Sequence, residues 1–207
     1  MIDYVALHRM NLPPGYMPNP KAHLNNERDR KHFEYASSKI ERDFSTTSFL
    51  DVGCFDGWLG FLLCDKNASR YNIKFHGVEL IPELASAARA YAQAHNITST
   101  IYTGAFHDVN LYQYYDHVIC FESLEHVPIL TASQYIVKMV KHARKSVLIS
   151  LPDQDFRDNP QHQWTPSLEV IQELCGHYPG FEIKRHEYQD KSIPANFFVR
   201  LNGNAES

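Results

Sequence analysis

Little in this sequence points away from a water-soluble globular protein. The 207 residues hold four cysteines, Cys54, Cys64, Cys120 and Cys175, with no Cys-x-x-Cys pair among them. They are dispersed, and free thiols in a reducing compartment are the expected state. No apolar run approaches the ~20 residues of a membrane span. The opening Met1-Ile2-Asp3-Tyr4 has neither a basic start nor an apolar core, so no secretory leader is expected and a cytoplasmic setting is. Charge of one sign is not in excess either. The net formal charge is −4, which makes no case for nucleic acid or a membrane surface as partner. Internal repeats and low-complexity tracts are absent. What is present, 43% hydrophobic and 21% charged residues, is a globular composition long enough for a proper core.

The first 20 residues carry Pro13-Pro14-Gly15 and Pro18-Asn19-Pro20, which exclude regular helix. A helical stripe of Phe33, Ala36, Ile40 and Phe44 then predicts a helix over 21–44. From there strands and helices alternate. Strands are expected at 48–52, 74–79, 100–103, 117–121 and 146–151, and helices at 58–65, 82–95, 132–143 and 167–175. The pattern closes with two strand-like runs, 181–188 and 196–201, without a helix between them, an antiparallel pair. Alternation followed by a hairpin predicts a three-layer α/β fold with a mostly parallel sheet. Residues 1–46 are read as a segment and helix covering a pocket, and 47–207 as the domain that carries it.

The stretch Phe49-Leu50-Asp51-Val52-Gly53-Cys54-Phe55-Asp56-Gly57-Trp58-Leu59-Gly60 organises the domain. An apolar strand runs into a glycine turn that opens directly into a helix. Glycines let backbone approach a ligand, and a helix N-terminus offers unpaired N–H groups. The position of a dinucleotide fingerprint's second glycine is Phe55, which disfavours a pyrophosphate cradle and with it a nicotinamide enzyme. The string resembles motif I of the class I S-adenosylmethionine-dependent methyltransferases, Asp-x-Gly-x-Gly-x-Gly, through Asp51, Gly53 and Gly57, with Phe55 in place of the middle glycine. Glu79, at the end of the second strand, resembles the acid that accepts both ribose hydroxyls in that family. After the fourth strand, Glu122-Ser123-Leu124-Glu125-His126-Val127 is similar to the subgroup acting on small molecules, quinone precursors and sugars. The motifs of amino-methylating and cytosine-methylating DNA enzymes are absent.

The resemblance implies the doubly wound, seven-stranded Rossmann-like methyltransferase fold. It also implies S-adenosyl-L-methionine as methyl donor, a small-molecule or sugar acceptor, and no nucleic-acid partner. Donor contacts are expected from Asp51, Gly53, Cys54, Phe55 and Gly57, from Glu79 and Leu80, from Ala105 and Phe106, and from Phe121 and Glu122. Where many members carry Asp after the third-strand glycine, this chain has Ala105. His126 is the first candidate for the base that takes an acceptor hydroxyl's proton, His162 the second and His107 the third. His162-Gln163-Trp164-Thr165-Pro166 resembles the loop that covers the acceptor. No metal is assigned. Two alternatives stand beside this reading. Glu122, Glu125, His126 and His162 resemble the magnesium set of metal-dependent RNA 2′-O-methyltransferases, and Phe55 with Ala105 would suit a non-catalytic methyltransferase-like binding protein.

Overall fold

The structure is a computed structural model and describes residues 13, 15–40, 48–67, 73–153 and 161–204. The expected helix end and loop at 41–47 lie outside the described residues. Seven strands make a mixed sheet, mostly parallel, with an antiparallel end at β5-β7-β6. This is the α/β class expected. The chain divides into two compact units between Asn110 and Leu111.

In the first unit the N-terminal helix is broken in two. Helix α1 (Pro20–His23) is capped by Asn19, and α2 (Glu27–Ile40) follows after a turn. The break has a local cause. The Asn26 side-chain oxygen accepts the backbone N–H groups of Arg28 at 2.9 Å and Asp29 at 3.2 Å, starting a new helix inside the range 21–44 expected as one helix. Strand β1 (Ser48–Val52) is buried throughout and leads to α3 (Trp58–Asn67). Strand β2 (Lys74–Glu79), α4 (Pro82–Ala94) and β3 (Ser99–Thr103) follow, with Pro82 in the first turn of its helix. The three strands are parallel in the order β3-β2-β1. Their core includes Phe75, stacked on Phe49 at 5.3 Å and met edge-on by Phe61 at 5.5 Å.

The second unit starts with β4 (Tyr115–Phe121), a single 3-10 turn (Leu124–His126) and α5 (Ile129–His142). Strand β5 (Ala143–Pro152) begins where α5 ends, with no intervening loop. Helix α6 (Leu168–Cys175) is capped by the Ser167 side chain, which accepts the Val170 N–H. The final pair is β6 (Glu182–His186) and β7 (Asn196–Asn202). They pair antiparallel as expected, and β7 also lies antiparallel to β5, giving β4-β5-β7-β6. Among the described residues, no helix is long and apolar enough to cross a membrane.

Candidate functional site

The turn from β1 to α3 is built to hold an unusual backbone path. Gly53, Phe55 and Gly57 all have positive φ, +75°, +54° and +82°. Glycine reaches that region freely, whereas Phe55 does so against steric resistance and must be held there. Glu79 supplies one hold, since its Oε2 accepts the Phe55 N–H at 2.8 Å while Oε1 accepts the Ile81 N–H at 2.8 Å. The Val78 carbonyl receives the N–H groups of Gly53 and Cys54, and the Gly57 N–H closes the turn on the Cys54 carbonyl at 2.8 Å. Asp56 ends the turn by capping α3, with its Oδ1 accepting the Trp58 N–H at 3.1 Å.

The side chains along this turn have distinct duties. Cys54 is buried, and a methyl group on Gly77 would sit 2.6 Å from its sulfur, so glycine in β2 makes the room. Burial holds its thiol well above the ordinary range. Gly60 has a packing role: a Cβ there would lie 2.4 Å from the Phe75 ring. Leu80 is 39% exposed beside Glu79, an apolar surface of the kind an adenine needs. The turn after β3 begins at Gly104, φ +138°, whose added Cβ would meet nothing within 4 Å. Ala105 is half-buried there, while Phe106 packs into the core. His107 faces Asp108 at 3.3 Å on the exposed rim of this turn.

The electrostatics of this first unit favour a cation. Asp51, Asp56 and Glu79 are buried to 4%, 0% and 5% exposure. Burial pushes the Asp51 carboxyl up, and the Glu79 charge adds to it. Burial likewise pushes Glu79 to about 7, although the N–H groups of Ile81, Phe55 and Leu80 pull the other way. A positively charged ligand beside Asp51 and Glu79 would favour their ionised forms. The sulfonium and ammonium of S-adenosyl-L-methionine fit this requirement, the glycine turn offers backbone clearance, and the remaining acceptor capacity of the Glu79 carboxylate suits ribose hydroxyls.

The second unit carries the histidine cluster. The Gln161 carbonyl lies 3.3 Å from His126 Nδ1, and a carbonyl only accepts, so Nδ1 carries the proton. In the neutral ring the lone pair is then on Nε2, which lies 3.9 Å from Oε1 of buried Glu125. The His162 ring meets that of His126 edge-on at 5.1 Å. Burial lowers the His162 pKa. One ligand atom each from Glu125, His126 and His162 lie within 4.8 Å of one another, an arrangement able to hold a metal ion. Glu122 stands outside this group. Its Oε1 is bonded by Asn196 Nδ2 and by Ser150 Oγ, and Tyr188 in turn bonds Asn196. Glu122 also has positive φ, +49°, and its N–H donates to the Ser150 carbonyl, so strands β5 and β7 fix this residue at the end of β4. Phe121 meets Phe198 edge-on beside it.

The loop at 161–164 is tied to the 3-10 turn. Gln163 N–H donates to the Glu125 carbonyl at 2.8 Å, and Trp164 Nε1 bridges the carbonyls of Leu124 and Val127 at 3.1 Å each. Trp164 therefore positions the histidine pair. Sequence reasoning missed this role, as it missed Asp56, Asn196 and Ser150. For Asp56 a signal was available, an acid two residues before a helix start. For Asn196 and Ser150 only tertiary pairing brings the partners to Glu122.

The arrangement of parallel strands, a glycine turn and an acid at the end of β2 defines a nucleoside-binding α/β domain of the methyltransferase class. The family profile described as a methyltransferase domain matches residues 43–191. The chain belongs to this family, the class I S-adenosylmethionine-dependent methyltransferases. It is 28% identical over 106 residues to a ubiquinone biosynthesis O-methyltransferase of Rickettsia conorii, covering 51% of this chain and 34% of that protein. The counterpart from Rickettsia akari is 29% identical over 115 residues, covering 54% and 43%. The matched region thus spans less than half the length of these relatives. Among solved structures, magnesium protoporphyrin IX methyltransferase from Synechocystis PCC 6803 with bound S-adenosylhomocysteine superposes with a TM-score of 0.71 at 14% identity, covering 98% of this chain and 96% of that one. A S-adenosylmethionine-dependent methyltransferase from Clostridium acetobutylicum gives a TM-score of 0.65 at 13% identity, covering 97% and 96%. These two likenesses establish the fold.

Proposed function

We propose that the chain transfers the methyl group of S-adenosyl-L-methionine to an oxygen of a small-molecule or sugar acceptor. The observation that supports the donor half is the Glu79 carboxylate, which holds the glycine turn through Phe55 at the strand end where an open α/β sheet takes its ligands. The similarity to proteins described as ubiquinone biosynthesis O-methyltransferases supports oxygen as the accepting atom. The donor contacts are assigned to Gly53, Cys54, Phe55 and Gly57 through backbone, to Glu79 by hydrogen bonds, and to Leu80 and Ala105 by apolar contact. Asp51 contributes charge, and Phe106 shapes the turn. Four free cysteines are consistent with a cytoplasmic setting.

Bound S-adenosyl-L-methionine supplies an already activated methyl group. The chain's own residues then have two tasks, holding donor and acceptor in line and removing a proton. Nε2 of His126 takes the acceptor's hydroxyl proton as the new C–O bond forms and the C–S bond breaks. The Glu125 carboxylate, 3.9 Å away, stabilises the resulting imidazolium through its field, and the Gln161 carbonyl keeps the ring in the working tautomer. His162 lines the same cluster as an orienting group. The proton leaves to solvent.

The test is a turnover assay with methyl-labelled donor against a panel of phenols, catechols, carboxylic acids and sugars. Label should appear in an ether product of at least one hydroxyl acceptor and depend on His126. Failure to bind the donor would reject the assignment of the turn, and donor binding with label entering only nitrogen or carbon products would reject oxygen.

A further inference from the structure

The donor turn is gripped a second time, from the N-terminal side. The Tyr16 hydroxyl donates to Oδ2 of Asp56, a carboxylate with 0% exposure. His23, the last residue of α1, approaches the same oxygen with Nε2 at 3.9 Å and bonds Asp29 on α2 through Nδ1 at 2.8 Å. Its ring lies flat on the indole of Trp58, the first residue of α3, with centroids 4.6 Å apart and planes 6° from parallel. Asp56 therefore divides its carboxylate. One oxygen caps α3 through the Trp58 N–H, and the other anchors a segment 40 residues earlier in the chain. Asp56 lies between Phe55 and Gly57, the two residues that complete the left-handed path of the turn.

We propose that Tyr16 and His23 are positioning residues for donor binding. They form a strap that fixes Asp56, and through it the Phe55–Gly57 backbone, in the conformation that receives the donor. The inference rests on the reading of this turn as the S-adenosylmethionine site. A residue such as Phe55, held at φ +54° against its steric preference, stays there only while its neighbours over-determine it. Glu79 restrains Phe55 from the sheet side, and Tyr16 restrains the next residue, Asp56, from the strap side. Release of one restraint lets the turn relax into commoner backbone conformations, and the donor then has to restore the bound form on binding. Coupling is reciprocal, so a bound donor must also tighten the strap.

The experiment uses the full chain and S-adenosylhomocysteine as probe, with calorimetry and amide hydrogen exchange in parallel. Tyr16→Phe keeps the ring and removes the bond to Asp56, and His23→Gln keeps polarity and removes the stacked imidazole. Each is expected to weaken probe affinity by roughly tenfold, the scale of a lost hydrogen bond to a charged group. In the wild type the probe should slow exchange over 15–40, and in Tyr16→Phe that protection should be lost. A wild type that fails to bind the probe would sink the donor-site reading itself. Binding by the wild type with equal affinity in both variants would overturn the strap alone. A loss of stability with no probe-dependent protection of 15–40 in the wild type would also overturn it, since that marks a merely structural contact.

Discussion

The Glu79 carboxylate accepts the N–H of Phe55 at 2.8 Å, so the acid at the end of β2 and the left-handed residue of the β1–α3 turn form one unit. Its other oxygen accepts the Ile81 N–H, also at 2.8 Å. Glutamine in its place presents an NH₂ group to one of these two donors, donor against donor. Glu79→Gln should therefore weaken S-adenosylhomocysteine binding by about 1.5–3 kcal/mol. The wild type should also respond to pH. The folded-state pKa of Glu79 is raised from 4.5 to about 7, so folding favours its protonated form. Its contribution to stability is then full below 4.5 and is lost as pH rises through about 7. Ribose hydroxyls prefer the ionised acceptor, so probe affinity should move oppositely and rise across the same window. Calorimetry from pH 5.5 to 8 checks both statements, and Glu79→Gln should flatten the affinity curve.

Gly60 illustrates a glycine whose function is packing. A Cβ there would stand 2.4 Å from the Phe75 ring, which is buried at 0% exposure and held between Phe49 and Phe61. That ring has no room to give. Gly60→Ala should destabilise by about 1–3 kcal/mol, as overpacked cores do. For a chain of this size that corresponds to a fall in Tm of roughly 3–10 °C. Probe affinity of the folded fraction should stay within a few-fold of wild type. A large affinity loss at unchanged Tm would place Gly60 against the ligand instead.

His23 makes the stability of the N-terminal segment depend on pH. Burial alone would lower its pKa, but the hydrogen bonds to Asp29 and Asp56 and their charges raise it from 6.5 to about 9. The groups facing it are Asp29 on α2 and Asp56 in the turn. Arg28 stands beside Asp29, and Tyr16 bonds Asp56. A raised folded-state value means the stabilisation is complete below 6.5 and is lost as pH climbs through about 9. The difference in Tm between wild type and His23→Gln should be largest near pH 6 and shrink by pH 10. A difference that does not change over this range would show that the imidazole acts only by stacking on Trp58.

Much of the fold was legible because hydrophobic period and turn chemistry agree. Strand β2 has the same bounds, 74–79, in sequence and structure, since the stretch ends cleanly at an acid and a proline-led helix. Boundaries went astray where local signals were indirect. Helix α5 begins at Ile129, three residues before the expected start, because Pro128 precedes it as cap without a side-chain bond to mark it. The break between α1 and α2 lies ahead of the apolar stripe, which starts at Phe33 and carries no signal of it. In the site, residues near each other in sequence were found from spacing. Tyr16 with Asp56 and Glu122 with Asn196 are separated by 40 and 74 positions, and their pairing comes from packing that no spacing rule encodes.

His126 is the residue on which the proposed chemistry turns. Gln161 fixes its Nδ1 proton, which leaves Nε2 to act, and Glu125 is placed to stabilise a positive ring. As the general base, its replacement by alanine should cut turnover by roughly 10²–10⁴ while donor affinity barely moves. The wild-type rate should rise with pH as the imidazole loses its proton, and His126→Ala should lack that limb. His162→Ala should then cost less, because His162 only orients. The geometry also allows Glu125, His126 and His162 to share an ion, and that role gives a different pattern. A chelator would then inhibit the wild type, magnesium or another divalent ion would restore it, and both histidine variants would lose activity alike. If His126 serves only to hold the 161–164 loop, His126→Ala will lose Tm and keep its turnover per folded molecule. Turnover measured against pH, chelator and temperature for these two variants separates the base from the ligand and from the structural histidine.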